Sequence, residues 1–197
     1  MAKRLFDLAF SALGLLVFSP VLLALALLIK LDSRGPVFYR GVRIGRYGKA
    51  FRIFKFRTMV MEAERLGGSS TANDDPRITR VGKFLRNYKL DELPQLINVL
   101  KGEMSLVGPR PQVEWAVALY TPQERQVLAV RPGITDYASL LFHNEGEILK
   151  GSQEPDKDYM EKIHPEKMRL SLEYVCTYSF WRDIRIILQT IVTLFKN

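Results

Sequence analysis

The stretch Leu90-Asp91-Glu92-Leu93-Pro94 sets two carboxylates side by side where the sequence marks the start of a helix. Asp91 stands at an N-cap position, Pro94 fits the first turn, and Gly102 falls just past the end. Between them Leu93, Leu96, Ile97 and Leu100 follow the stripe of an amphipathic helix. Two readings of the pair are open. In one, Asp91 is a cap and Glu92 a favourable first-turn charge. In the other, a carboxylate kept ionised by the helix dipole attacks phosphorus and forms an acyl phosphate, while its neighbour points elsewhere and holds a metal ion. Adjacent carboxylates do not suit a glycosidase, whose two groups flank one bond from opposite sides.

Residues near the pair in sequence favour phosphate chemistry. In Met104-Ser105-Leu106-Val107-Gly108-Pro109-Arg110-Pro111, a short buried strand precedes an arginine held between two prolines. The prolines fix φ on both sides, so the loop can aim a guanidinium with little entropy left to lose. Guanidinium grips phosphate bidentately; the plainer alternative is an exposed arginine on a rigid turn. Upstream, residues 30–60 carry Lys30, Arg34, Arg40, Arg43, Arg46, Lys49, Arg52, Lys55 and Arg57 against Asp32 alone. Pro36-Val37-Phe38-Tyr39, turns at Gly45 and Gly48, and residues 51–57 read as a β-hairpin. Strand alternation puts Phe54 and Phe56 on one face with Arg52, and Ile53, Lys55 and Arg57 on the other. That cationic face suits either a phosphate site or an anionic membrane. Aromatics interleaved with basics also suit single-stranded nucleic acid, but no nucleic-acid motif accompanies them and no such partner is expected. Residues 62–75 read as a mobile loop after a short helix. From Asp75-Pro76 onward, Arg77, Arg80, Lys83, Arg86 and Lys89 recur every third residue and predict an amphipathic helix with a broad cationic side.

The elements around this chemistry point to a membrane. Residues 8–29 carry no charge. As one helix they would reach about 33 Å, against a bilayer core of about 30 Å. Ser19-Pro20 interrupts them, leaving halves 8–18 and 21–29 that are each too short to span. Cationic flanks stand at both ends: Lys3 and Arg4 before, Lys30 and Arg34 after. A kinked span satisfies the length. A helix that enters, breaks at Ser19-Pro20 and returns satisfies the positive-inside preference at both flanks, with the Ser19 hydroxyl serving a freed backbone group. A signal peptide fits less well, because cleavage at Ala24-Leu25-Ala26 would leave Leu27-Leu28-Ile29 at the new terminus. Near the other end, residues 166–178 read as a helix with Cys176 as a packed thiol. Residues 180–195 read as an interfacial helix anchored by Trp181. His143 and His164 are too isolated to argue a metal site. The chain has 197 residues and is 47% apolar with a formal net charge of +8. This excludes a disordered chain and favours anionic partners; one cysteine excludes an internal disulfide.

Taken together these motifs resemble the bacterial sugar transferases, the monotopic polyprenyl-phosphate phosphoglycosyl transferases, in their small form comprising the catalytic domain. The likeness rests on Leu90-Asp91-Glu92-Leu93-Pro94-Gln95 followed by residues 104–111. It extends to Lys3-Arg4-Leu5-Phe6-Asp7, Ser19-Pro20, Gly35-Pro36-Val37-Phe38, residues 54–59 and 75–82, and Arg131-Pro132-Gly133-Ile134-Thr135. The resemblance implies one α+β membrane-embedded domain with an N-terminal re-entrant helix, a β-hairpin and amphipathic interfacial helices. Residues 1–34 would be the re-entrant helix and its flanks, and residues 35–197 the cytoplasmic catalytic region. It implies transfer of a sugar 1-phosphate from a UDP-sugar to undecaprenyl phosphate with release of UMP, as the first membrane step of a surface glycan pathway. Asp91 would be the nucleophile of a covalent phosphosugar intermediate, and Glu92 its partner and an Mg²⁺ ligand. Arg110 would grip phosphate, with Lys55, Arg57, Arg77 and Arg86 as further phosphate or headgroup contacts. Ser19 and Pro20 would form the membrane break. The expected setting is the cytoplasmic face of a bacterial inner membrane, among membrane lipids, as a monomer or homodimer. Asp136-Tyr137-Ala138-Ser139 departs from a glycine- and tryptophan-containing sequence found in many members, which bears on sugar identity rather than reaction class.

Overall fold

The computed structural model describes residues 2–68 and 70–196. It is an α+β fold of helices packed on small sheets, led by a long apolar helix α1 (Ala2–Asp32) of 31 residues. Pro20 lies inside α1, yet the helix runs through it. Proline cannot donate to the Leu16 carbonyl four residues back. The Ser19 hydroxyl donates to that carbonyl instead, at 2.8 Å. The expected interruption thus falls inside one continuous helix, where the Ser19 hydroxyl takes up the carbonyl that proline leaves free.

Both ends of α1 are tied to the rest of the fold. Near its start, Arg4 donates to the carbonyls of Val99 and Leu100 at 2.8 and 3.2 Å. Asp7 is buried in an otherwise apolar helix because its carboxylate accepts from the Ser105 hydroxyl and the Leu106 amide. At the far end Leu25 and Ile29 pack with Phe56 and Leu85, and Asp32 accepts from the Val81 amide. Between these anchors Phe10, Leu13, Leu16, Val17, Leu23 and Leu27 are exposed. Burial of apolar area does not explain such a row in water; α1 is long and apolar enough to cross a bilayer.

The predicted hairpin is present as an interrupted ribbon. Strands β1 (Phe38–Tyr39) and β2 (Val42–Ile44) run antiparallel to β3 (Ala50–Arg52) and β4 (Lys55–Phe56). Pairs Phe38↔Phe56, Tyr39↔Lys55, Val42↔Arg52 and Ile44↔Ala50 keep one register across the gap. The expected alternation fails at Ile53-Phe54, which lie outside the strands: Phe51, Ile53 and Phe56 are the buried apolar residues, and Arg57 is buried as well. Helix α2 (Ala63–Leu66) lies in the loop that follows. The cationic helix is shorter than expected: α3 spans Arg80–Asn87, with Arg77 before it and Lys89 beyond it. Thr79 caps α3 by accepting from the Gly82 amide. Lys89 then takes a left-handed conformation, φ 54°, and the chain reverses.

Helix α4 (Gln95–Lys101) is introduced by a 3₁₀ turn at Leu90–Glu92 and closed by Gly102 at φ 83°. It leads to β5 (Ser105–Val107), which pairs in parallel with β6 (Gly133–Thr135). The connection carries α5 (Glu114–Ala118). Gly108 and Gly133 let these backbones touch: a Cβ on Gly133 would lie 2.1 Å from the Gly108 nitrogen. The short helices α6 (Tyr137–Leu141), α7 (Glu145–Ile148) and α8 (Pro155–Asp158) precede α9 (His164–Thr177) and α10 (Phe180–Lys196). Cys176 is exposed rather than packed. The buried stripe of α9 runs through Lys167, Met168, Ser171 and Tyr174, and position 176 turns away from it. On α10, Asp183 and Ile186 are buried while Trp181, Leu188, Ile191 and Val192 are exposed.

Candidate functional site

The 3₁₀ turn, the ribbon and the loop after β5 converge on a cleft of about 700 Å³. Asp91 is 2% exposed and does not cap the helix. Its Oδ2 pairs with the Lys55 ammonium at 2.8 Å, and its Oδ1 is buried with no hydrogen-bond partner. An unpaired buried carboxylate oxygen is costly unless something outside the chain uses it. Glu92, one residue on, points elsewhere: it accepts both arms of the Arg110 guanidinium and lies 3.3 Å from Lys55. Asp91 and Glu92 therefore share Lys55, while Arg110 belongs to Glu92.

Asn98 holds this arrangement in register. It sits two helical turns after Asp91, on the same face. Its Oδ1 accepts from the Phe54 amide at 2.7 Å, and its Nδ2 donates to the Arg52 carbonyl at 2.9 Å and to Glu103. The side chain thus serves the ribbon at its interruption and fixes Lys55, the next residue, against Asp91. Arg110 is positioned from the other side by the close approach of Gly108 and Gly133, with the Gly133 amide donating to the Pro109 carbonyl.

The other expected phosphate contacts divide. Lys55, Arg86 and Arg110 line the cleft, and Arg86 also reaches the Thr71 carbonyl at 3.4 Å. Arg57 is elsewhere: it is buried and donates to the carbonyls of Pro36, Arg34 and Ser33, stitching the strand to the end of α1. Burial lowers its pKa from the ordinary arginine value. Arg77 is likewise committed, to the Asp75 carboxylate and the carbonyls of Ala63 and Gly68. Neither lines the cleft, because each meets backbone carbonyls that its own fold leaves unpaired. Asp136 caps α6 through the Ser139 amide, and burial raises its pKa. Lys89, named in the sequence only as part of the cationic period, also lines the cleft, as do Gln112, Glu145, Tyr159 and Lys167, which were not singled out. Lys89 had a signal, the last position of the cationic period, but its reach depends on the chain reversal after α3.

Burial pushes the Glu92 carboxyl up, but the charges of Arg110 and Lys55 outweigh it and hold the group well below the ordinary value of 4.5. Its folded-state pKa lies below the unfolded one, so the ionised pair stabilises the fold above the unfolded value. That contribution is lost as pH falls below about 4.3 toward the folded value. Acidification from pH 6 to pH 3 should lower the unfolding temperature more in the parent protein than in Glu92→Gln, as followed by circular dichroism in detergent.

A metal would find two adjacent hard carboxylates here, one with an unpartnered oxygen. Among the described residues there is no group of three or more His, Cys, Asp or Glu side chains placed to hold an ion. An Mg²⁺ ion here would take one or two carboxylates and complete its shell with phosphate oxygens and water. Glu92, with Asp91 beside it, would hold it through oxygens that also accept from Arg110 and lie near Lys55.

The sequence profile described as bacterial sugar transferase matches residues 1–197. A UDP-glucose:undecaprenyl-phosphate glucose-1-phosphate transferase of Escherichia coli (strain K12) is 42% identical over 100% of this chain and 41% of its own length. An undecaprenyl-phosphate glucose phosphotransferase of Komagataeibacter xylinus is 42% identical over 97% of this chain and 35% of its own. An exopolysaccharide production protein, PSS, of Rhizobium leguminosarum bv. phaseoli is 41% identical over 97% of this chain and 94% of its own. The chain thus spans less than half the length of the first two relatives and nearly all of the third.

Proposed function

We propose, because this chain belongs to the bacterial sugar transferase family, that it transfers a sugar 1-phosphate from a UDP-sugar to undecaprenyl phosphate and releases UMP. The observation that carries this reading is the asymmetry of Asp91: one oxygen held by Lys55, the other buried and unpartnered in a cleft lined by cations. In the first half-reaction Asp91 Oδ1 attacks the phosphorus that bears the sugar. The bond from that phosphorus to the bridging oxygen breaks, its electron pair leaves with UMP, and a sugar-phosphoryl aspartate forms. In the second, an oxygen of undecaprenyl phosphate attacks the same phosphorus. The bond to Asp91 breaks, the carboxylate is restored, and undecaprenyl diphosphate sugar departs. Lys55 keeps the nucleophile turned toward phosphorus, and Arg110, aligned by Glu92, meets the charge that develops on phosphate oxygens. Mg²⁺, when bound, would supply further charge neutralisation at those oxygens without a proton transfer.

The membrane arrangement belongs to the same proposal. In this reading α1 enters the bilayer from the cytoplasmic face and returns to it. Its two ends are anchored to one catalytic body, Arg4 and Asp7 at one end and Asp32 at the other. A straight span would carry them to faces about 30 Å apart. The exposed apolar residues of α1 and α10 support immersion, and the product would be the lipid-linked sugar on which a surface glycan is built.

Two half-reactions through one carboxylate give a specific kinetic expectation. Detergent-purified protein with Mg²⁺, undecaprenyl phosphate and a panel of UDP-sugars should release UMP continuously with the preferred donor. Without the lipid, release should stop at about one UMP per enzyme. Steady release without lipid, or none from folded protein with any donor, would overturn the proposal.

A further inference from the structure

We propose that Glu145 and Lys167, in the wall of the cleft that Arg110 also lines, form the subsite that holds the hydroxyl groups of the donor's sugar. The inference rests on the cleft being the UDP-sugar site. Glu145 opens α7 and Lys167 lies on the buried stripe of α9, so the pair joins two helices from the C-terminal part of the chain. Both side chains line the same cleft as Asp91 and Glu92.

The pair is a built site. Lys167 is 8% exposed, and its ammonium pairs with Glu145 Oε2. It sits 5.2 Å from the centre of the Tyr159 ring and 5.8 Å from that of Phe142. The Tyr159 hydroxyl accepts from Gln112 Nε2 at 3.2 Å. Gln112 is two residues beyond Arg110, and its backbone carbonyl is held by the Ile44 amide at 2.9 Å. Gln112, Tyr159, Lys167 and Glu145 all line the cleft that Arg110 also lines. The ion pair is partly buried: the Lys167 side chain is 10% exposed and that of Glu145 32%, so Glu145 stays open to the cleft that both residues line. Glu145 Oε1 accepts no hydrogen bond from the described residues, and the Lys167 ammonium has more donors than Glu145 uses. An acceptor and a donor beside two aromatic rings match a pyranose, whose hydroxyls do both and whose C–H faces are apolar.

Charge decides which part of the donor goes where. Lys55, Arg86, Lys89 and Arg110 line the cleft, and these cations suit the diphosphate. Glu145 and Lys167 cancel, which suits a neutral group. The sugar is bonded to the phosphorus that Asp91 attacks, whereas uracil stands a ribose and a second phosphate away. The neutral pair in the same cleft is therefore assigned to the sugar.

The test uses the full chain in detergent with Glu145→Gln and Lys167→Met. Values of kcat/KM are measured for UDP-glucose, UDP-galactose and their N-acetylhexosamine counterparts, with UMP as competitive inhibitor. Each variant should lose about 10- to 100-fold on the preferred donor and have its preference compressed, because a site that hydrogen-bonds hydroxyls discriminates through them. UMP inhibition should stay the same. The preference ratio is internal to one sample, so a smaller folded fraction does not imitate the effect. Unchanged preference overturns the inference, and so does weakening of UMP in parallel, which would make this the nucleoside subsite. If the parent protein turns over no donor, the transferase reading fails by itself. Equilibrium binding then decides: tighter binding of a UDP-sugar than UMP, reduced selectively by Glu145→Gln, supports the subsite, and equal binding overturns it.

Discussion

Asp91→Asn should reduce UMP release by about 10³-fold or more, as expected when a covalent nucleophile is removed. Asparagine matches aspartate in shape, so the 3₁₀ turn and α4 should survive. The chemistry should not: the amide is a poor nucleophile at phosphorus, and Lys55 loses the carboxylate it holds at 2.8 Å. Two companion measurements separate loss of chemistry from loss of fold. The variant should still co-sediment with membranes, since α1 and α10 are untouched. It should also retain no radiolabel when given a donor labelled in the phosphate that bears the sugar, whereas the parent protein without lipid should retain it. Undiminished UMP release would remove Asp91 from the mechanism altogether.

Arg110→Ala should be the second most damaging change, lowering kcat by about 10²- to 10³-fold. In the proposed mechanism the guanidinium meets phosphate, and in the structure it pairs with Glu92 through two hydrogen bonds. Without it, Glu92 keeps only Lys55 at 3.3 Å, which draws that lysine away from Asp91. Arg110→Lys should recover only part of the loss, because an ammonium restores the charge but not the planar two-armed grip. Double variants with Glu92→Gln make the coupling measurable. If Arg110 acts partly by neutralising Glu92, the double change should cost less than the two single effects combined. Additive effects would separate Arg110 from Glu92 and leave it a phosphate contact alone.

Much of this site was legible as local pattern. Asp91-Glu92 before an apolar stripe, Gly102 at its end, and Arg110 between two prolines are short-range signals; the helix ended at Gly102 as its pattern placed it, but it starts at Gln95, after a separate 3₁₀ turn that carries Asp91. The apolar run of α1 with Pro20 inside it was equally plain, and so was the register of a hairpin turning at Gly45 and Gly48. What spacing could not rank was the cations. Lys55, Arg57 and Arg77 look alike along the chain, but Lys55 meets two carboxylates while Arg57 and Arg77 fill the unmet needs of backbone carbonyls. A guanidinium goes where acceptors lack partners, and those positions exist only once the chain has folded.

The sequence by itself pointed to the proposed reaction class, because the motifs that carry the family resemblance, and the residues proposed to attack, pair and grip phosphate, lie within short segments marked by prolines, glycines and apolar spacing. Tertiary structure alone decided which oxygen of Asp91 is free, that Asn98 replaces a missing strand partner to seat Lys55, and that Glu145 and Lys167 pair in the wall of the same cleft. These depend on segments far apart in the chain, brought together by packing of α4, the ribbon and α9. No periodicity within one segment encodes the position of another, so the chemistry could be read locally but its geometry could not.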